Sequence, residues 1–98
     1  MNQLEVLRES LGQCDEIILD ALLMRNRIVE DIMVYKEANN VPILQPEQEA
    51  KQKEWLNRRM QEKRHKNEVA DVFESITRNS KKIQARKLFN YNIVLIGF

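Results

Sequence analysis

Hydrophobic side chains recur along the first part of the chain with the spacing of one face of a long α-helix. Two columns with a repeat of seven residues form what we call the seam: Leu4, Leu11, Ile18, Arg25 and Ile32, flanked by Leu7, Cys14, Ala21, Ile28 and Tyr35. Such columns are typical of a helix that packs against other helices. The pattern predicts a helix from Leu4 to about Ala38, and at its rise per residue this helix is roughly 50 Å long. A helix of that length is too long for a compact monomer of 98 residues.

Helix start and stop signals predict two further helices. The segment 39–42, Asn-Asn-Val-Pro, ends the first helix, because asparagine tolerates the left-handed conformation and the residue before proline is pushed out of the helical region. Pro46 suits the first position of a second helix, which we expect over residues 46 to about 64. Asn67 can cap a third helix that continues to about Leu88 with apolar residues spaced three and four apart. The sequence therefore predicts an all-α chain of three helices, the first very long.

The last seven residues, 92–98, have a different character. They read Asn-Ile-Val-Leu-Ile-Gly-Phe, which is typical of a buried parallel strand. A strand without a partner strand does not belong to a helical domain. We therefore predict one domain over residues 1–90 and the start of a following domain at residues 91–98. In P-loop kinases a strand of this kind is followed by a glycine-rich loop, which here would lie beyond Phe98.

Composition narrows the classes of function. Sixteen Lys and Arg against 15 Asp and Glu give a net charge of +1, which creates no general field for nucleic acid or an anionic membrane. A single cysteine and a single histidine argue against an intrachain disulfide, a Cys/His metal site and a Cys–His catalytic pair. The amino terminus lacks the features of a secretory signal, and no stretch approaches about 18 apolar residues. We expect a cytoplasmic protein that uses neither a metal nor a cofactor.

Arg25 occupies a seam position at which the pattern calls for an apolar residue. Its guanidinium keeps its charge, so it needs an anionic partner or water. The partner is either a carboxylate of the protein, such as Asp15 or Glu49, or an anionic ligand. Lys36 lies eleven residues later on the same face, roughly 16 Å along the helix. Two long cationic side chains at this spacing could hold one small anion between them.

Three further polar residues extend this pattern. Ser80 and Gln84 fall on the apolar stripe of the third helix. Arg8 lies about 25 Å before Arg25 along the helix axis and is rotated by about 100°, so it cannot reach the same site from the same straight helix. We predict that Arg8 reaches the site of a second chain whose first helix packs antiparallel, which requires an interlocked homodimer.

These residues form an ordered set along the chain: Leu4-x-x-Leu7-Arg8, Asp15, Leu22-x-x-Arg25, Lys36, Pro42, Glu49 and Ser80-x-x-x-Gln84. The set resembles the all-helical class of chorismate mutases over nearly the whole stretch from Leu4 to Leu88. The resemblance implies an intertwined, domain-swapped homodimer that converts chorismate to prephenate on the route to phenylalanine and tyrosine. The run at 92–98 resembles the first strand of shikimate kinase, which implies a fusion of the two enzymes.

The resemblance also implies a role for each polar residue. Arg25 and the partner's Arg8 would hold the two carboxylates, Ser80 would support a carboxylate, Lys36 and Gln84 would donate to the ether oxygen, and Glu49 would accept a hydrogen bond from the ring hydroxyl. Gln45 joins the substrate-binding set, although Gln45 and Gln48 stand where bacterial members commonly have Asp and Arg. The reaction is unimolecular and needs no nucleophile, metal or proton transfer, so binding and electrostatic stabilisation suffice.

Two other functions fit the same residues. One is a lyase of the same fold that eliminates pyruvate from isochorismate, because that reaction also needs a clamped dicarboxylate and a lysine. The other is a helical dimerisation module without catalytic activity, in which the buried charges only set the register of the helices.

Overall fold

Three α-helices make up the part of the chain that the structure describes. This computed structural model describes the backbone of residues 2–95 and the side chains of residues 2–86. The helices are α1 at Gln3–Ala38, α2 at Pro46–Arg59 and α3 at Lys66–Leu95, and no strand occurs within residues 2–95. The predicted all-α class with one very long first helix is confirmed.

α1 has an asparagine at each end. The Asn2 side chain accepts a hydrogen bond from the backbone N–H of Glu5 at 2.8 Å and so satisfies one of the free N–H groups of the first turn. At the other end the backbone N–H of Asn39 donates to the Tyr35 carbonyl at 3.0 Å, and Asn40 adopts the left-handed conformation with φ of 56°. Asparagine adopts this conformation more readily than most residues. The predicted end of the first helix is therefore confirmed.

α2 begins where predicted but is shorter than predicted. Pro46 lies in its first turn, where the missing N–H costs no hydrogen bond. The helix ends at Arg59 rather than near residue 64. Glu62 and His65 adopt positive φ values of 62° and 61°, and a right-handed helix cannot pass through such residues.

α3 differs from its prediction at both ends. It begins at Lys66, so Asn67 lies inside the first turn and is not the cap. It continues through Leu95, so the predicted strand at 92–98 is wrong for the described residues 92–95, and residues 96–98 lie outside the described part. Without a neighbouring strand these backbone groups can find regular hydrogen-bond partners by extending the helix. α3 runs across residue 90, and the domain division at that residue and the fusion with a kinase stay predictions.

α2 is attached to α3 by few contacts. Trp55 meets Phe73 edge to face, with 5.8 Å between the ring centroids. The Thr77 hydroxyl donates to Oε1 of Gln52 at 2.9 Å. None of the residues of α2 is buried. The position of α2 therefore depends on a small number of side-chain contacts.

The core of the single chain lies between the C-terminal half of α1 and α3. Within residues 2–86, Val29 and Met33 are the buried hydrophobic residues, and Lys36, Ser80 and Gln84 are the buried polar ones. The chain measures 60 × 31 × 16 Å and has a radius of gyration of 17.9 Å. A compact chain of this length would have a radius of gyration of about 13 Å. The single chain is therefore elongated and buries little apolar surface.

Most of the seam is exposed in the single chain. Arg25 is half-buried, and the nine other seam residues are exposed. The face of α1 that is buried near α3 carries Val29, Met33 and Lys36. These residues follow Arg25 at spacings of four, eight and eleven, so they lie on a face adjacent to the seam. The exposed seam and the buried face of α1 meet at Arg25.

Two kinds of feature are absent from the residues that the structure describes. No helix among them is long and apolar enough to cross a bilayer. No group of three or more His, Cys, Asp or Glu side chains among them is placed to hold a metal ion.

Candidate functional site

Four polar side chains meet between α1 and α3, and we call them the α1–α3 cluster: Arg25, Lys36, Ser80 and Gln84. Arg25 and Lys36 lie on one face of α1, and Ser80 and Gln84 are four residues apart and share a face of α3. Three of the four are buried and Arg25 is half-buried. Polar residues at interior positions of two helices therefore face each other across the same interface.

Arg25 bonds to α3 and not to a carboxylate. Its Nη1 atom donates a hydrogen bond to the Ser80 hydroxyl, which itself donates to the Ile76 carbonyl at 2.9 Å. Among the described side chains Arg25 forms no ion pair, neither with Asp15 nor with Glu49. The Ser80 hydroxyl uses one guanidinium N–H, so the other donors of Arg25 are free of protein contacts within the described part. The guanidinium can therefore bind an anion.

Lys36 is buried, and its hydrogen-bond partners are neutral groups. It is 7% exposed, and its Nζ atom donates to the Gln84 side chain at 2.9 Å and to the Ile43 carbonyl at 3.0 Å. No described carboxylate lies within ion-pair distance of it. Burial lowers the pKa of the Lys36 ammonium below its ordinary value of 10.5, because desolvation disfavours the charged form.

Gln84 connects Lys36 to Ser80. Its Oε1 atom accepts from Lys36, and its Nε2 atom donates to the Ser80 carbonyl at 3.4 Å, a long contact. The amide therefore retains a second N–H that can donate to a ligand. The structure brings Arg25, Lys36, Ser80 and Gln84 together between α1 and α3, as the family resemblance implies.

Glu49, in the first turn of α2, contacts α3 beside Ser80. Its Oε1 atom lies 2.5 Å from Nζ of Lys81, the residue after Ser80 on α3. Gln45 is exposed at the N-terminal end of α2, where its side chain makes no capping bond. Its backbone carbonyl accepts hydrogen bonds from the N–H groups of Gln48 and Glu49 at 3.0 and 3.2 Å. Neither side chain bonds to a residue of the α1–α3 cluster within the described part, and Glu49 reaches α3 through Lys81.

Arg8 lies apart from this site, as its sequence position predicts. It is exposed on α1, four to five turns before Arg25 on the same unbroken helix. The rise of an α-helix places the two Cα atoms about 25 Å apart. The Arg8 side chain therefore cannot reach the α1–α3 cluster of its own chain.

Two cavities flank α3. One, of about 720 Å³, lies between α2 and α3 and is lined in part by Glu49, Gln52 and Lys81. The other, of about 800 Å³, is lined in part by Lys36 and again by Lys81. Arg25 lines neither cavity. Arg25 is half-buried and borders the exposed seam of α1.

Three features of the site were not predicted from the sequence. They are Lys81, the Ile43 carbonyl that accepts from Lys36, and the hydrogen bond from Thr77 to Gln52. Thr77 and Lys81 are four residues apart and share a face of α3, but the sequence does not reveal that this face meets α2. A backbone carbonyl in a loop leaves no signal in the sequence.

One family match covers all the residues of the predicted site. The pattern of a family described as chorismate mutase type II matches residues 7–85, a range that contains every predicted site residue from Arg8 to Gln84. No curated protein and no solved structure matches the chain.

Proposed function

The chain belongs to the chorismate mutase type II family, whose members are isomerases that convert chorismate to prephenate, and we propose that the α1–α3 cluster is the site of this reaction. Prephenate is the precursor of phenylalanine and tyrosine. The substrate carries two carboxylates, an ether oxygen and a ring hydroxyl. Each of these groups needs a partner of defined charge and hydrogen-bonding character.

The observation that carries the proposal is the buried, unpaired ammonium of Lys36. A buried charge is costly unless an opposite charge or several hydrogen bonds compensate for it. Among the described residues Lys36 has two neutral acceptors and no carboxylate, and the nearby guanidinium of Arg25 has no carboxylate either. Two cations that share a face and lack anionic partners suit a dianionic ligand.

The roles of these residues follow from the way charge develops in the rearrangement. The ether carbon–oxygen bond breaks while a new carbon–carbon bond forms within the same molecule, and negative charge accumulates on the ether oxygen. Arg25 binds one carboxylate with Ser80 beside it, which keeps the substrate in its compact reactive conformation. Lys36 and Gln84 then donate to the ether oxygen. Their contribution is largest in the transition state, where that oxygen is most negative.

α2 contributes the remaining contacts of the proposed site. Glu49 accepts a hydrogen bond from the ring hydroxyl, and Gln45 binds the substrate through its exposed side-chain amide. Because Gln45 and Gln48 replace the family's usual Asp and Arg, α2 provides no cation next to Glu49 in sequence. Binding of the two carboxylates therefore depends on Arg25 and the partner's Arg8.

A homodimer completes the site in this proposal. Nine seam residues of α1 are exposed in the single chain, and an apolar face of this size is stabilised by burial against a second copy. If the two copies of α1 pack antiparallel, the partner's Arg8 is brought to the exposed side of Arg25.

We also place the protein in the cytoplasm, where the exposed thiol of Cys14 remains reduced.

The test is turnover of chorismate and of isochorismate by the purified protein and by Arg25→Ala. We expect conversion of chorismate to prephenate by the wild type and no salicylate from isochorismate. Loss of the Arg25 guanidinium should lower kcat/KM by about a hundredfold, because it leaves a substrate carboxylate without its charged partner. Arg27→Ala is the matched control, since Arg27 is exposed on the same helix two residues away.

The outcomes separate the three functions. Salicylate formation would identify an isochorismate lyase instead of a mutase. A helical dimerisation module would convert neither compound, and Arg25→Ala would change its oligomeric mass. A mutase whose Arg25→Ala variant keeps both its mass and its full kcat/KM would show that Arg25 is not the carboxylate anchor.

A further inference from the structure

Lys81 is a cation at the edge of the site to which the family resemblance assigns no role. Its Nζ atom lies 2.5 Å from Oε1 of Glu49, and the two side chains are 37% and 32% exposed. Lys81 lines both cavities, the one between α2 and α3 and the one that contains Lys36. It therefore borders both the cavity that contains Glu49 and the cavity that contains Lys36.

The position of Glu49 depends on this contact. Glu49 lies in the first turn of α2, a helix without buried residues. The other contacts from α2 to α3 that we described, at Gln52 and Trp55, are about one and two turns further along the helix. On the other side, Gln45 makes no capping bond with its side chain. The pair with Lys81 is therefore the contact that ties the start of α2 to α3.

Two other positions could have provided a cation for Glu49. Gln48 is neutral, where bacterial members of the family commonly carry Arg. Lys53 follows Glu49 by four residues, a spacing that favours an ion pair within one helix. The structure instead pairs Glu49 with Lys81 across two helices. A partner on α3 turns the carboxylate toward the helix that carries Ser80 and Gln84.

We propose that Lys81 is a positioning residue, which holds the Glu49 carboxylate at the site so that it can accept a hydrogen bond from the ring hydroxyl of the substrate. The inference rests on the proposed function of the α1–α3 cluster. An ion pair of this exposure contributes little to stability. Its effect is therefore expected in the kinetics and not in the free energy of unfolding.

The experiment is a double-mutant cycle of Lys81→Met and Glu49→Gln, read as kcat and KM for chorismate. We expect Lys81→Met to lower kcat/KM by about tenfold, a typical coupling between contacting residues. In the Glu49→Gln background the same change should have no further effect, because the carboxylate on which Lys81 acts is gone. Lys81→Arg keeps the charge and should recover most of the loss. Lys82→Met, an exposed cation at the next position, is the matched control and should equal the wild type.

Each outcome of the cycle decides one point. If Lys81→Met lowers kcat/KM equally with and without Glu49, then Lys81 does not act through Glu49 and the inference is overturned. The inference is also overturned if Lys81→Arg does not recover the lost kcat/KM, or if Lys81→Met keeps the full kcat/KM of the wild type. Absence of chorismate turnover in the wild type would instead remove the proposed function. Thermal unfolding of every variant verifies that the compared proteins are folded.

Discussion

Lys36 shows how a single buried side chain can link the packing of this protein to its chemistry. The lowered pKa of its ammonium means that the folded state binds fewer protons than the unfolded state between that pKa and 10.5. In this window the free energy of unfolding rises with pH, so the charged Lys36 destabilises the fold at neutral pH. A destabilising charge between two helices is expected where function, and not stability, selects the residue.

We predict that kcat/KM for chorismate falls at alkaline pH, with a midpoint below the ordinary lysine value of 10.5. The pH dependence of kcat/KM reports the free enzyme, in which burial lowers the pKa of Lys36, and the neutral amine is a weaker donor to the ether oxygen. In kcat the midpoint should move upward, because a bound dianion favours the ammonium. Both profiles are measured from neutral to alkaline pH.

Lys36→Arg is the control for this assignment. A guanidinium keeps its proton throughout this range, so the alkaline decrease should disappear even if the rate itself is lower. An unchanged alkaline decrease in Lys36→Arg would assign the decrease to another group.

Gln84 is an amide and donates at any pH. We therefore expect no increase in the rate of chorismate conversion below about pH 5, where a carboxyl group would gain its proton.

Four residues of the site could be predicted from the sequence: Arg25, Lys36, Ser80 and Gln84. Each of them either interrupts an apolar pattern or lies a whole number of helical turns from a polar residue that does. Lys81 could not be predicted in this way. A lysine next to a polar position is ordinary on a solvated helix face, and its partner Glu49 lies on another helix. The contact depends on how α2 and α3 pack, and the sequence of either helix alone does not contain this information.

At the scale of the elements, the sequence predicted the helix ends that have local chemical causes. Asn40 and Pro46 determine the end of α1 and the start of α2 through backbone preferences of their own. The end of α2 and the start of α3 depend on Glu62 and His65 in the left-handed conformation, which is uncommon for any residue that has a Cβ atom. The apolar run at residues 92–95 shows the limit of pattern reading, because a short run of this kind suits a strand and a buried helix equally well.

We predict that Asn40→Ala lowers the free energy of unfolding by about 1 kcal/mol, since a residue with a Cβ atom and no local hydrogen bond is strained at positive φ. Asn40→Gly should not lower it, because glycine adopts this conformation without strain. Urea unfolding of the three proteins at one protein concentration measures the difference. Equal stability of the alanine and glycine variants would show that the end of α1 does not depend on this conformation.

At the scale of the whole molecule, one geometric relation connects the elongated shape to the incomplete site. The seam extends over the length of α1, and Arg8 lies on the N-terminal half of this helix while Arg25 lies where the seam meets the buried face. An antiparallel pair of α1 helices that places the partner's Arg8 beside Arg25 has its two-fold axis about midway between them, near Glu16 and Ile17. The same operation generates two equivalent sites, each with residues from both chains.

We predict that two inactive variants, Arg8→Ala and Arg25→Ala, restore activity when their chains are mixed. In a mixed dimer one site combines an intact Arg25 with the intact Arg8 of the other chain, and the second site lacks both. If the chains reassociate at random, half of the dimers are mixed and each has one working site, so about a quarter of the wild-type activity should return. The measurement is chorismate turnover after the two variants are unfolded together and refolded, or after their coexpression.

The matched control mixes Arg25→Ala with Lys36→Ala. Both of these residues belong to the α1–α3 cluster of the same chain, so each site of a mixed dimer lacks one of them and no activity should return. Recovery in this control would mean that the site is not divided between chains as we propose. If Arg8→Ala and Arg25→Ala fail to complement although an untagged chain of one variant copurifies with a tagged chain of the other, Arg8 does not act across the dimer. Arg25 would then bind its carboxylate without an arginine from the partner.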